Sequence, residues 1–318
     1  MHPDQHVSSR DRMVGLAWVA IAGLTWGTIP ILLRAADGAS VVKVFYRVLF
    51  AALVVGGWMF SKGQWRELVG LPRSKWVQLL VQGLILTLNW LLFITALDMT
   101  NVATAELLGY TGPVFVAALA PWITKERFDR RILVPLALAL GGIIVILAPQ
   151  GLAVATRTEV VGAGLAFASA ITYATLLLRS KNILRGVSSG ALMLVEYTLA
   201  AVVLSPFVVV AYARDNAPST PRAYLALITL GVVHTALTGF LFLGGMRRVR
   251  TDHVAILTYI EPVSAVLFAA LLLGEPLTVP TVIGGLMVIL GGVIVARMEK
   301  GGRAKSVPLE AAGSQQPS

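Results

Sequence analysis

The chain contains no cysteine among its 318 residues. That excludes disulfides and thiolate metal sites. Charge is scarce as well, at 13% of residues, where a soluble domain carries about 25%. Too few charges are present to cover a globule of this length, so lipid has to be part of its solvent. Acids are scarcer than bases, 16 against 26, which gives a net charge of +10 and a pI near 10.2. On a soluble domain that excess suggests nucleic acid. Here the bases sit in short loops between apolar runs and read as membrane topology, so no nucleic-acid partner is expected. Motifs of chemistry are also missing. There is no nucleophile–base pair and no His/carboxylate metal motif, and the glycine-rich segments lie inside apolar runs without the lysine of a phosphate loop. An enzyme, a bound cofactor or metal, and an ATP-driven pump are therefore not expected.

What the chain has is apolar sequence: 57% hydrophobic residues and a mean hydropathy of +0.79. Ten apolar runs lie at about 14–33, 41–60, 76–97, 102–123, 131–148, 160–179, 190–212, 222–246, 253–273 and 280–297. Each is near the roughly 20 residues that cross a bilayer's hydrocarbon. The expected fold is an all-α integral membrane protein of ten transmembrane helices. Residues 1–13 and 298–318 read as tails, the second disordered and rich in Gly, Ser, Gln and Pro toward its end. The first run is too long for a cleaved signal peptide, lacks a small-x-small cleavage site and is followed directly by Arg34. Lys and Arg set the orientation. Twenty of the 26 fall in the N-terminal tail, the loops 61–75, 124–131, 179–189 and 247–252, and the C-terminal tail. The opposite side holds Arg34, Lys43, Arg157, Arg214 and Arg222. The basic side is expected to be the cytoplasm, with both termini in it and the protein multi-pass in the cell's inner (plasma) membrane.

One stretch appears twice. Asn89–Phe128 and Thr238–Leu277 match at an offset of 149, pairing Phe93 with Phe242, Leu108 with Leu257, Tyr110 with Tyr259, Pro113 with Pro262, and Glu126 with Glu275. Trp26 in Thr25-Trp26-Gly27 also falls opposite Tyr173 in Thr172-Tyr173-Ala174, and Gly141-Gly142 opposite Gly291-Gly292. Two halves are implied: 14–148 and 160–297, joined by an extracytoplasmic linker, 149–159. Five spans is an odd number, so the second half enters the membrane inverted. Inverted repeats let a central site open first to one side and then to the other.

These features resemble the drug/metabolite transporter superfamily, and specifically its ten-span EamA-type members, over about Val14–Arg297. The resemblance rests on Leu24-Thr25-Trp26-Gly27, Arg47 followed by Ala51-Ala52-Leu53, Ala96-Leu97, Gly112-Pro113-Val114-Phe115 leading to Glu126-Arg127, Tyr259-Ile260-Glu261-Pro262-Val263, Leu273-Gly274-Glu275-Pro276-Leu277, and Gly284-Gly285 with Gly291-Gly292. It implies a secondary transporter that exports a small solute such as an amino acid, by alternating access. No motif fixes the solute. A channel, receptor or structural membrane protein is the alternative.

Ionisable residues inside a span cost a few kcal/mol on insertion scales and so need a reason. There are five: Arg47, Glu106, Glu196, His234 and Glu261. Arg47 can hold a solute carboxylate with two parallel hydrogen bonds, or serve structurally by pairing with Glu106 or satisfying freed carbonyls. Glu196 matches Arg47 at the repeat offset, and the two can act as opposed gates or simply snorkel. Glu261, at mid-span beside Pro262, is the candidate for coupling to a proton; Gly112 stands at the matching place in the first copy. The other reading of Glu261 is donation to a carbonyl freed by a kink. His234 reads as a structural or cavity-lining group.

Pro30, Pro113 and Pro262 each lack an N–H, so each should bend its helix and free the carbonyl of Trp26, Gly109 or Thr258. Such carbonyls can meet a solute ammonium, or the bends can serve packing alone. Trp26, Trp90, Tyr110, Tyr173 and Tyr259 suit a cavity for an amphipathic solute; the alternative is lipid-facing or core packing, which fits Trp90 more readily than the repeat-related Trp26, Tyr110 and Tyr259. Asn89 and Thr238 correspond and can hydrogen-bond between helices or line the path. Glu126 and Glu275 are expected to cap the helices that follow them, and the paired glycines to let helices approach closely.

Overall fold

In lipid a spanning segment has to satisfy its own backbone N–H and C=O groups, which leaves a long apolar run little choice but a helix. The computed structural model describes residues 8–125, 129–150, 156–274 and 276–301. Among them ten helical spans are long and apolar enough to cross a membrane, and no strand occurs. Spans 1 to 5 are Ser9–Ala35, Ser40–Ser61, Arg73–Met99, Thr104–Ile123 and Arg130–Leu147. Spans 6 to 10 are Arg157–Ile183, Ser189–Tyr212, Pro221–Met246, Thr251–Leu273 and Val279–Met298. Glu126, Glu275 and most of the two tails lie outside the described residues.

Capping explains where the helices begin earlier than hydropathy suggests. Span 1 starts at Ser9 because the Ser8 hydroxyl accepts from the Asp11 N–H at 3.0 Å. Span 6 starts at Arg157 because Thr156 and Glu159 form a capping box. Asn101, Ser188 and Thr220 cap spans 4, 7 and 8 in the same way.

Packing follows a pattern that exchanges the two halves of the chain. Span 3 lies on span 6, and span 8 on span 1. Span 4 lies on span 6, and span 9 on span 1. Spans 2 and 7, 4 and 9, and 5 and 10 pair with each other. The contact between spans 5 and 10 depends on small residues, as the glycine pairs suggest, with a shifted partner. Gly142 faces Gly284, and a Cβ built on either would stand 2.5 or 2.4 Å from the other's carbonyl oxygen. Gly291 lies against the Pro135 carbonyl. Backbone cannot yield as a side chain can, so Gly142→Val is expected to destabilise by at least the ~1–3 kcal/mol of ordinary overpacking. Thermal unfolding in detergent should show a clearly lowered melting temperature.

Three spans are broken ahead of their prolines. Span 1 breaks between Ser9–Trp26 and Ile29–Ala35, span 4 between Val102–Gly109 and Gly112–Ile123, and span 9 between Thr251–Leu257 and Ile260–Leu273. At each break a threonine hydroxyl turns back onto the carbonyl three residues earlier. Thr28 donates to Thr25 at 2.8 Å, Thr111 to Leu108 at 2.6 Å, and Thr258 to Ala255 at 2.7 Å. At span 9 this corrects the expectation of an open carbonyl: that of Thr258 accepts from the Glu261 N–H at 3.0 Å. In span 4 the carbonyl that reaches another span is that of Tyr110, one residue beyond Gly109. The breaks conserve hydrogen bonds locally, as a low-dielectric setting demands.

Span 8 carries a different interruption, a π-helical stretch at Leu230–Leu237. His234 Nδ1, Thr235 Oγ1 and Thr238 Oγ1 each bond a carbonyl five residues earlier. Gly231 makes room for it, since a Cβ there would meet the Phe50 Cβ at 2.5 Å. π-Helical turns occur mostly as such short insertions and frequently mark functional sites.

Outside the spans, the loops that join spans 1–2 and 7–8 are clasped together. Asp37 accepts from the Ser219 N–H at 3.0 Å and from its hydroxyl, and the Ala39 N–H donates to the Asn216 carbonyl. The two bonds from Ser219 hold the Asp37 carboxyl below the usual range. A lowered folded value means this clasp contributes at neutral pH and weakens as pH falls through that value.

Candidate functional site

The breaks in spans 4 and 9 bring polar side chains together at the middle of the bundle. The Tyr259 hydroxyl, on a fully buried residue, donates to the Tyr110 carbonyl at 2.6 Å, and the two rings lie 6.2 Å apart. Residues paired by the repeat offset thus touch each other. Tyr173 of span 6 lies near Thr258 at the span 9 break. Its ring lies against Gly112, where a Cβ would stand 2.7 Å from a ring carbon. The ring explains why the first copy has no acid matching Glu261: Tyr173 fills the space. Tyr259→Phe is expected to cost ~1 kcal/mol for the lost bond, while Tyr110→Phe, whose partner atom is backbone, should cost less. Melting temperatures of the two variants check this.

Arg47 enters the cluster from span 2. Its Nε donates to Thr235 Oγ1 at 2.6 Å, and its guanidinium lies 5.3 Å from the centre of the Trp90 ring. Trp90 is therefore a platform for the cation rather than plain packing. Glu261 lies within electrostatic reach of both Arg47 and Glu106. Among the described residues no ion pair joins Arg47 to Glu106; the carboxylate in its field is Glu261. Arg47, Glu106, Tyr110, Tyr173 and Glu261 are all half-buried. The arrangement offers one cation on an aromatic face, two carboxyls and three phenols.

The π-helical stretch supplies the adjoining wall. Trp26 Nε1 donates to the His234 carbonyl at 2.8 Å, and the Trp26 ring packs 5.0 Å from that of Phe242. Thr28 Oγ1 meets His234 Nε2 at 2.7 Å, and the other ring nitrogen faces the Thr229 carbonyl. Both imidazole nitrogens are engaged, so His234 joins the span 1 break to span 8. Tyr197 Oη reaches the Thr235 carbonyl at 3.4 Å. Asn89 holds spans 3 and 6 together by donating to the Ser169 carbonyl at 2.7 Å and to Thr172 Oγ1 at 3.0 Å. Thr238, its counterpart, makes no such cross-helix bond and turns back to Val233 at 2.8 Å, because the π geometry offers that carbonyl. Pro113 and Pro262 are buried beside the site, whereas Pro30 is exposed. Glu196 stands apart, deep in span 7.

The site is shut on one side. Thr251–Leu257, the basic-side half of span 9, is buried throughout and packs on Gly112–Ile123 of span 4. The opposite halves, Val102–Gly109 and Ile260–Leu273, do not pack together to any extent. Side chains ending span 6 fasten the closed side. Lys181 donates to the carbonyls of Met246 and Val249, both at 2.5 Å. Asn182 and Arg185 reach those of Ile123 and Thr124 at 2.9 and 3.1 Å. Each cation binds at the C-terminal end of a span, where the helix dipole favours positive charge. Loop bases counted only for orientation thus have a second use that no sequence motif announces. Thr235, Tyr197 and the three break threonines were equally silent in sequence.

Known proteins resemble this chain along most of its length. A relative from Archaeoglobus fulgidus, described as an uncharacterized transporter, is 30% identical over 90% of this chain and 97% of its own length. The transporter YxxF of Bacillus subtilis is 22% identical over 96% of both chains. The inner membrane transporter YicL of Salmonella typhimurium is 26% identical, over 92% of this chain and 98% of its own. A crystal structure at 19% identity shares the fold with a TM-score of 0.76, across 91% of this chain and 99% of the other. The pattern of the EamA-like transporter family matches twice, at residues 13–148 and 160–297. The chain is a membrane transporter of the EamA-like family, within the drug/metabolite transporter superfamily.

Proposed function

We propose that this transporter is a secondary exporter of a small amphipathic metabolite, such as an amino acid, that works by alternating access around the Arg47–Glu106–Glu261 cluster. The observation that carries the reading is the one-sided contact of spans 4 and 9. It walls the charged cluster from the basic side and leaves the outer halves of the two spans apart. The segments 14–148 and 160–297 act as inverted repeats, and 149–159 links them outside the cytoplasm. Both termini lie in the cytoplasm, and the protein sits in the inner membrane. The exchangeable packing of the halves supports this symmetry. In the second conformation the outer halves of spans 4 and 9 close, and the bonds from Lys181, Asn182 and Arg185 open.

The solute's carboxylate binds the guanidinium of Arg47, its apolar part meets Trp26, Trp90 and the tyrosines, and a proton carried by Glu261 moves in exchange. Purified protein in liposomes, offered amino acids and related metabolites with and without a pH gradient, tests the reading. Movement of at least one zwitterionic solute, faster with the gradient, is the expected result. A panel in which nothing moves under either condition contradicts it.

A further inference from the structure

The bases on the basic side do not all face the same way. At the end of span 6, Lys181 and Arg185 turn inward onto carbonyls. Between spans 8 and 9, Arg247 donates to the Val187 carbonyl at 2.6 Å, and Arg250 pairs with Asp252 at 2.7 Å. The link between spans 2 and 3 differs: Lys62, Arg66 and Arg73 are all exposed. That link is built to lie along the membrane surface. Span 2 stops in a Schellman turn, in which the Gly63 N–H bonds the Phe60 carbonyl at 3.0 Å and the Gln64 N–H that of Met59 at 2.8 Å. Gly63 takes a φ of +65°, which glycine adopts without strain. A short helix, Arg66–Gly70, follows, and Pro72 leads into span 3. With so little chain between the spans, the short helix cannot rise far from the bilayer.

Its two faces differ in kind. Leu68 and Leu71 pack against the core of the bundle, and the Leu68 carbonyl accepts from Trp76 Nε1 at 3.1 Å. Glu67, the one acid in the link, accepts from the Ser188 N–H at the start of span 7 at 2.7 Å and lies in the field of Arg247. These contacts fix the inner face to spans 3 and 7. Trp65 and Val69, one turn apart on the other face, are 42% and 76% exposed. The Arg66 guanidinium lies 5.9 Å from the centre of the Trp65 ring. An indole with bases around it, beside an exposed aliphatic group, is the composition of a segment seated in the headgroup layer.

We propose that the outer face of this link is a docking surface for anionic phospholipids of the leaflet on the basic side. Trp65 and Val69 enter the boundary between headgroups and acyl chains, and Lys62, Arg66 and Arg73 hold headgroup phosphates. Charge complementarity selects the occupant. Three bases face outward while the single acid is turned inward, and an anionic leaflet surface attracts such bases. A zwitterionic lipid offers no net charge to match them. The proposal needs neither the solute nor the coupling reading; only the naming of that leaflet as cytoplasmic rests on the orientation proposed above.

Tryptophan quenching on the full-length protein tests this without any transport. The protein is reconstituted in phosphatidylcholine bilayers with rising fractions of brominated phosphatidylglycerol or, in parallel, brominated phosphatidylcholine. The difference between the wild type and Trp65→Phe isolates the emission of Trp65. Brominated phosphatidylglycerol should half-quench it at a mole fraction at least about fivefold lower than brominated phosphatidylcholine, the effect of roughly one base at an anionic surface. Joint replacement Lys62→Gln, Arg66→Gln and Arg73→Gln should bring the two lipids level. Arg130→Gln with Arg131→Gln, which removes exposed charge at the start of span 5, should leave the preference in place. Equal quenching by both lipids in the wild type overturns the proposal, as does a preference that survives the triple replacement or is lost equally with Arg130 and Arg131. Trp65 emission that neither lipid quenches also overturns it, and is the result for a face covered by a protein partner or a second copy.

Discussion

Replacing Glu261 with glutamine is expected to abolish transport driven by a pH gradient while solute exchange continues. Glutamine keeps the shape and neutrality of the protonated acid but cannot release a proton. Glu261 occupies the point where exchange of a proton would matter most. It begins the second half of the broken span 9, its N–H closes the turn at Thr258, and it shares a field with Arg47 and Glu106. One pH unit is worth about 1.4 kcal/mol, so a one-proton cycle can sustain about a tenfold solute gradient per unit. The variant should accumulate solute no further than equilibration, with counterflow of labelled solute retained. Accumulation equal to the wild type would remove Glu261 from the coupling role.

Arg47→Lys is expected to weaken transport of solutes that bear a carboxylate and to spare those that do not. The Arg47 side chain divides its work: Nε is held by Thr235, the planar face rests on Trp90, and the terminal amino groups remain for a ligand. A lysine has one ammonium and no plane, so it cannot keep the Thr235 bond and also grip a carboxylate with two parallel bonds. Loss of one charge-assisted bond, about 1.5–3 kcal/mol, corresponds to at least about a tenfold rise in the half-saturating concentration. Uptake curves for a matched acid and amide measure it. An equal change for both solutes would assign Arg47 to structure instead.

The spans were legible in sequence because hydropathy and loop charge act over whole helices and tolerate errors of a few residues. The doubled Tyr–Pro motif singled out Tyr110 and Tyr259, and the structure adds that they touch. The partners within the site were less legible. Pro113 and Pro262 announced bends, but which carbonyl would stay free depended on how the turn closes, as when the Glu261 N–H takes the Thr258 carbonyl. The π-helical stretch left no mark, since Leu230–Leu237 reads like any apolar run, and its consequence for Thr238 was hidden with it. Trp90 became a cation platform only when spans 2 and 3 were brought together. The difference between Gly112 and Glu261 stood out in sequence, while its cause, the ring of Tyr173 from span 6, is a tertiary contact.

The central claim is that spans 4 and 9 part on one side of the membrane while they meet on the other, and that the sides exchange. The absence of native cysteine allows clean placement of two spin labels, at Val102 and Leu272, both exposed near the outer ends of these spans. Distances between them by pulsed electron resonance in lipid should show a long population that gives way to a shorter one when a transported solute is added. Releasing the basic side with Lys181→Met should move the balance the same way. One unchanged distance, in a labelled protein that still transports, would contradict the account.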